Sequence, residues 1–398
     1  MIENDAPVSD CLKIMDRSRA TTLKGPRRRF RVVTVTLLAI GLSGCATRPG
    51  PETLNPVAAR SGNSKSVTVL AVTNRSLSSA NPPAFGDGRG RMSYEQFTMQ
   101  ETASASGGRS EARKISSDND PSKDFVTTGR KKLDEASFER TVDRMRSGDD
   151  TPVVFVHGYN YSYQEAVFRL AQLSASADAF TVPIAFSWPS QADFRGYVTD
   201  RDSTTYARDD LVQLLTVLTR SRSHGRVAVV GHSMGAWLVM EALRQLRLQG
   251  RDDVLARLQV GLAAPDIDID VFHRQASVIG RLSPPLTVLV SKDDRALSVS
   301  SRLAGGNPRL GLADASDPQI REIARQNGVQ IIDISTLPSS DAFNHNRFVA
   351  FAAKYSAAAR RDGSAGGVRQ AGVFLFDTTG RILSAPFEGT ARIMANSQ

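Results

Sequence analysis

The sequence predicts an α/β fold with a mostly parallel central sheet and helices on both faces. Three observations carry that prediction. From Thr151 onward, short continuous apolar runs alternate with segments of helical period, the pattern of strands covered on both faces by crossover helices. The run Val227-Ala228-Val229-Val230 leads into Gly231-His232-Ser233-Met234-Gly235, and a helical pattern follows at once. A strand entering a helix through Gly-x-Ser-x-Gly is the sequence form of a nucleophile elbow. The 398 residues are 40% hydrophobic and 23% charged, which suits a globular body with a sizeable core.

The N-terminal segment reads as an export signal. Arg27-Arg28-Arg29-Phe30-Arg31 precedes the uncharged apolar run 32–42, and Leu42-Ser43-Gly44-Cys45 follows. A basic region, a short apolar core and a small-residue cleavage site make a secretory signal, too short to stay as a membrane span. The Leu-Ser-Gly-Cys ending resembles the bacterial lipobox. That resemblance implies a lipoprotein signal peptide over residues 1–44, lipidation of Cys45 and a membrane-anchored mature protein in the cell envelope. Ala46, where inner-membrane retention uses Asp, implies the outer membrane. A start at Met15 and a twin-arginine reading of Arg27-Arg28-Arg29-Phe30 both stay open.

Residues 45–64 are rich in Pro, Gly, Ser and Asn without apolar period, and predict a flexible tether. One α/β domain is expected over residues 65–360. Residues 67–72 are its first convincing strand. The segment 80–132 is poor in large apolar side chains and predicts irregular strands and long loops. A short helix over 138–145 leads to a buried strand at 152–157, a helix at 163–177, a strand at 182–188 and a helix at 204–222. Strand 226–230 enters the elbow, and helix 234–248 places Leu238, Ala242, Leu243 and Leu246 on one face. Strands at 260–264, 285–291 and 329–334 and a last helix over 346–360 complete the alternation. Residues 361–398 form a C-terminal extension, with a hairpin over 373–383.

Charge and cysteine usage exclude some classes. The formal net charge is +9, but residues 1–44 hold eight Lys/Arg against four acids, leaving only +5 for everything after them. That excess is no argument for nucleic-acid binding. The two cysteines, Cys11 and Cys45, both lie in the signal region. The mature chain therefore has no disulfide and no cysteine-based metal site, and no cofactor or metal is expected.

A serine nucleophile needs a base within hydrogen-bond reach and an acid to orient that base. Ser233 is the expected nucleophile. Gly231 and Gly235 flank it because side chains there would collide in so tight a turn. In this type of site the acid and then the base follow in the chain, each just after a strand. His345, between the last apolar strand and the last helix, is the expected base; His273 sits in a helical stretch and suits a surface position. For the acid, Asp294 after strand 285–291 has an Asp-x-x-Leu spacing to Leu297. Asp293, Asp266 and Asp268 remain alternatives, and helix capping explains any of them equally well. The oxyanion donors are expected to be the backbone amides of Met234, at a helix N-terminus, and Tyr159, after His157-Gly158. His157 is expected to pack under that loop. Tyr159, Tyr161, Tyr163, Trp188 and Phe194 fall at strand ends, as for an apolar pocket.

Several motifs together resemble a bacterial α/β-hydrolase family of unknown function, over roughly residues 65–355. They are Thr73-Asn74-Arg75, the stretch Phe85-Gly86-Asp87-Gly88-Arg89-Gly90, Val156-His157-Gly158-Tyr159-Asn160, Phe186-Ser187-Trp188-Pro189-Ser190, the elbow, and Ala263-Ala264-Pro265-Asp266-Ile267-Asp268. The resemblance implies the α/β-hydrolase fold and a Ser-Asp-His site, and many relatives are lipoproteins. Gly-His-Ser-Met-Gly is common among carboxylester hydrolases. The expectation is therefore a serine hydrolase acting on a small-molecule or lipid ester. The alternative is a non-catalytic envelope lipoprotein that keeps the scaffold to bind a ligand or a protein partner.

Overall fold

The computed structural model describes residues 48–59, 65–79, 83–101, 125–146, 150–177, 182–220 and 225–353. The chain divides into two compact units, Met1–Arg48 and Pro49–Gln398, and every described element belongs to the second. The segment expected to be a signal peptide, with Cys45, the part of the expected last helix after 353 and the expected 361–398 extension lie outside the described residues.

Strands β1 (Ser66–Leu77), β2 (Phe85–Glu101) and β3 (Phe125–Leu133) precede helix α1 (Glu135–Met145). The alternation follows: β4 (Pro152–Val156), α2 (Tyr163–Ala177), β5 (Val182–Ser187), α3 (Tyr197–Arg220), β6 (Val227–His232) and α4 (Met234–Leu248). Next come α5 (Asp252–Leu255), β7 (Leu258–Ala263), α6 (Ile269–Ile279), β8 (Leu286–Val290), α7 (Arg295–Leu303), α8 (Pro318–Asn327) and β9 (Val329–Asp333). A last helix, α9, is described over 347–353.

All nine strands form one sheet in the order β3-β2-β1-β5-β4-β6-β7-β8-β9. From β1 to β9 every neighbouring pair is parallel, whereas β2 runs antiparallel to both β1 and β3. The side-chain period of two divides the core. Val154 and Val156 of β4 face a cluster containing Leu211, Leu238, Leu243 and Phe272 from α3, α4 and α6. Phe155 faces the opposite way, against Val167 and Leu170 of α2 and Phe348 and Phe351 of α9. Strands β4 to β8 are thus buried on both faces, which explains their uninterrupted apolar runs.

Three expectations need correction. Residues 80–132 hold two long strands, the 17-residue β2 and the 9-residue β3. Their polar composition hides them because partners inside the sheet neutralise the charge. Glu95 accepts from Arg130 Nε at 2.9 Å across the β2–β3 pair and from Tyr163 Oη at 2.6 Å. The tether is not free over its middle part. Residues 51–54 make a 3-10 turn that buries Leu54, Val57 N donates to Thr127 O at 2.8 Å, and Gln164 Nε2 reaches Pro49 O at 2.6 Å. Helix α3 begins at Tyr197, two turns before Thr204, because Asp200, Ser203 and Thr204 are buried polar residues that break the apolar period. No helix among the described residues is long and apolar enough to cross a membrane.

Candidate active site

Ser233 links β6 to α4 with φ 54° and ψ −119°, a conformation that costs an L-residue about 1–3 kcal/mol and persists only when its surroundings hold it. Its amide donates to Ala263 O at 2.9 Å, and its carbonyl accepts from Ala236 N at 3.0 Å and Asp266 N at 3.1 Å. A Cβ on Gly231 would stand 2.7 Å from Ala236 Cα, and one on Gly235 would stand 2.4 Å from the carbonyl oxygens of Val156 and His157. Backbone atoms cannot yield that space, so both positions require glycine. Met234 opens α4, where the helix leaves its first amides without internal partners and presents its positive end.

Asp294 follows β8 and caps α7: its Oδ1 accepts from Leu297 N at 2.9 Å. Its Oδ2 accepts from His345 Nδ1 at 2.6 Å. One carboxylate therefore does both things that the sequence offered as competing explanations. The other aspartates are engaged elsewhere. Asp293 pairs with Arg347, with Nη2 at 2.8 Å, and binds Asn344 Nδ2 at 3.0 Å. Asp266 accepts from Tyr197 Oη at 3.0 Å and Ser300 Oγ at 2.5 Å, and lies 3.2 Å from Arg309 Nε. Asp268 caps α6 through the amides of Asp270 and Val271.

The His345 loop is shaped by Asp341, which accepts from the amides of Phe343 at 2.7 Å, His345 at 3.2 Å and Asn346 at 2.7 Å. The His345 ring lies 4.6 Å from that of His232, the residue before Ser233, so the imidazole stands at the mouth of β6. Among the described residues no hydrogen bond joins Ser233 Oγ to this imidazole, whose side-chain partner is Asp294. Such contacts are often long in free enzymes. Burial pulls the His345 pKa down, but the charge and hydrogen bond of Asp294, with the charges of Asp341 and Asp266, outweigh it and raise the value above the ordinary 6.5. His232 goes the other way: burial, then the neighbouring His345 and Arg169 charges, hold it well below 6.5.

The loop after β4 approaches the elbow closely, since a Cβ on Gly158 would lie 3.0 Å from Ser233 Cβ. Tyr159 follows, partly buried, with its ring 5.5 Å from that of Tyr197. His157 is buried beneath, its ring stacked 4.9 Å from Trp188, whose Nε1 donates to His157 O at 2.8 Å. The aromatic cluster expected to line a pocket divides. Trp188 and Tyr163 are core residues, at 0% and 2% exposure, while Phe194 is 70% exposed. Two polar residues without an assigned role in the sequence also converge here. Arg75, buried at the end of β1, and Asp200, buried in α3, bond to the loops around Tyr159. The signal for Arg75 was its place in the Thr73-Asn74-Arg75 motif; nothing local marked Asp200. Among the described residues no group of three or more His, Cys, Asp or Glu is arranged to hold a metal ion.

A strained serine, a carboxylate-bound imidazole and a helix N-terminus thus gather at the carboxyl ends of parallel strands, where open α/β sheets bind ligands. The sequence profile of a family described as alpha/beta hydrolase of unknown function (DUF900) matches residues 134–360. No curated protein matches the chain. Solved structures with similar chain traces include an uncharacterized protein from Bacillus cereus ATCC 10987, 12% identical with a TM-score of 0.32, covering 56% of this chain and 67% of that one. Another is ESTFA in its Fe-lacking apo form, 12% identical with a TM-score of 0.30, covering 88% of this chain and 92% of that one. Likeness at this level extends to neither substrate nor mechanism.

Proposed function

The chain belongs to the family of alpha/beta hydrolases of unknown function, and on that premise we propose that it is a serine hydrolase cleaving carboxylic esters through an acyl-enzyme. The observation that carries this reading is the 2.6 Å contact of Asp294 with His345 Nδ1, beside the strained Ser233 turn. Asp294 holds the imidazole with its Nε2 free to act as base. Ser233 Oγ attacks the ester carbonyl carbon as Nε2 takes its proton. The carbonyl oxygen becomes an oxyanion, received by the backbone amides of Met234 and Tyr159. Collapse breaks the bond to the alcohol, which leaves with the proton from His345. Water, deprotonated by the same imidazole, then releases the acid and restores Ser233. The elbow sequence Gly231-His232-Ser233-Met234-Gly235 favours ester over other acyl substrates. A fluorophosphonate probe, with p-nitrophenyl esters of short and long acyl chains, tests the reading. Labelling and turnover are expected in the wild type and absent in Ser233→Ala. Labelling that survives the substitution overturns the role of Ser233. A wild type that neither labels nor turns over leaves the alternative, a non-catalytic protein that binds a ligand or partner.

The export signal supports a location for this activity. We propose that Cys45 is lipidated and becomes the first residue of a mature protein anchored in the cell envelope, at the outer membrane. A diacylglycerol together with an N-acyl chain supplies several buried chains, enough for stable anchoring where one would be marginal.

A further inference from the structure

Arg75 is 2% exposed, and all three of its guanidinium nitrogens are engaged. Nε donates to Ser187 Oγ at 3.0 Å, Nη1 to the carbonyls of Gly86 at 2.9 Å and Ser190 at 2.8 Å, and Nη2 to Tyr161 O at 2.8 Å. Asp200 is fully buried. Its Oδ2 accepts from Ser190 Oγ at 2.6 Å and from Asn160 N at 3.2 Å, and its Oδ1 accepts from Gln191 N at 2.8 Å. Ser190 Oγ closes the circuit by accepting from Tyr161 N at 3.1 Å.

Two buried charges are an expensive way to hold a fold together. Here they tie the loop after β4 to the stretch after β5: the amide of Asn160 donates to Asp200, the carbonyl of Tyr161 accepts from Arg75 and the amide of Tyr161 donates to Ser190 Oγ, and these are the two residues that follow Tyr159. Asn160 also has φ 63°, a left-handed conformation that needs external support. The remaining anchors are Gly86 O in the β1–β2 hairpin and Ser187, Ser190 and Gln191 at and just after the end of β5.

We propose that Arg75 and Asp200 are positioning residues that fix the backbone of the 158–161 loop, so that the Tyr159 amide points at the developing oxyanion. The proposal rests on the serine-hydrolase reading above. A donor aimed at the transition state contributes little to ground-state binding, so its misplacement lowers kcat more than it raises KM.

The test uses Asp200→Asn and Arg75→Met in the full chain, with p-nitrophenyl ester kinetics, thermal unfolding and amide hydrogen exchange. Expected are a kcat lower by about 10- to 100-fold, a KM within about twofold, and faster exchange at Asn160 and Tyr161 with α4 unchanged. Folded variants with wild-type kcat, or with wild-type exchange at those two amides, overturn the proposal. If neither variant folds, Ser190→Ala removes only the bridging hydroxyl and is read by the same criteria. If the wild type hydrolyses no ester and takes no fluorophosphonate, the serine-hydrolase reading fails by itself. Exchange confined to the loop then still upholds the loop-holding role, and unchanged exchange overturns it.

Discussion

His345 Nδ1 lies 2.6 Å from Asp294 Oδ2, with the carboxylate side chain fully buried and the imidazole 15% exposed. One oxygen of Asp294 orients the ring while the other caps α7. The residue that presents the imidazole is therefore fixed by the helix it starts.

Under the proposed mechanism this contact sets the pH dependence. The base must be neutral to accept a proton, and its pKa is raised above 6.5 because Asp294 and more distant carboxylates outweigh burial. The acid limb of kcat/KM on a p-nitrophenyl ester should have its midpoint above 6.5. Asp294→Asn removes the leading favourable charge, so the limb should move to lower pH while kcat falls roughly 10³- to 10⁴-fold. Asp293 faces Arg347 instead, and Asp293→Asn should retain most of the activity. An acid limb that stays in place in Asp294→Asn would count against the assignment. Because His345 is raised in the folded state, its contribution to stability is present below pH 6.5 and is lost as pH rises through the folded value.

Two other histidines act in the opposite direction. Burial, then the Arg75 charge, lowers His157 from 6.5 to about 3, and His232 is also held well below 6.5. The unfolded chain binds protons at these groups before the folded chain does. Stability should therefore fall as pH drops below 6.5, by about 2 kcal/mol at pH 5 from His157, with His232 acting in the same direction and His345 offsetting part of the loss. Urea midpoints at pH 7, 6 and 5 check this. A midpoint that holds or rises toward pH 5 would contradict the burial of these two rings as neutral species.

The elbow glycines should tolerate no side chain. Gly235→Ala drives a methyl group into the carbonyls of Val156 and His157, and Gly231→Ala into Ala236 Cα. Each should lose about 3 kcal/mol or fail to fold. Gly86 has nothing within 4 Å of its would-be Cβ, so Gly86→Ala is the control and should stay within about 0.5 kcal/mol of wild type. Chemical denaturation compares all three, and equal losses at Gly235 and Gly86 would refute the steric argument.

Lipidation is checked by mass spectrometry of the membrane fraction. A mature N-terminal peptide beginning at acylated Cys45 is expected, and Cys45→Ser should leave the precursor uncleaved after Gly44. A wild-type peptide running through Gly44 into unmodified Cys45 would end the lipoprotein proposal.

The elements carrying the candidate site were legible because their determinants are local. Gly231, Ser233 and Gly235 encode a turn whose sterics involve only the next few residues and the neighbouring β4 end. The parallel strands announce themselves by burial on both faces, and helix α4 begins and ends where its period does, at Met234 and Leu248. The choice among aspartates was only partly local: the spacing of Asp294 to Leu297 favoured it, but did not exclude the others. Asp266, Asp268, Asp293 and Asp294 all follow strands, and helix capping is an alternative explanation for each. Only the tertiary fold brings a histidine 51 residues away onto one of them and assigns Arg347 and Arg309 to its neighbours. The β2–β3 hairpin was hidden for a related reason, since Glu95 is acceptable in a buried strand only because Arg130 and Tyr163 meet it there. Arg75 and Asp200 belong to the same class: what each does depends on which carbonyls and amides surround it, and those come from three separate stretches of chain that only the closed sheet assembles.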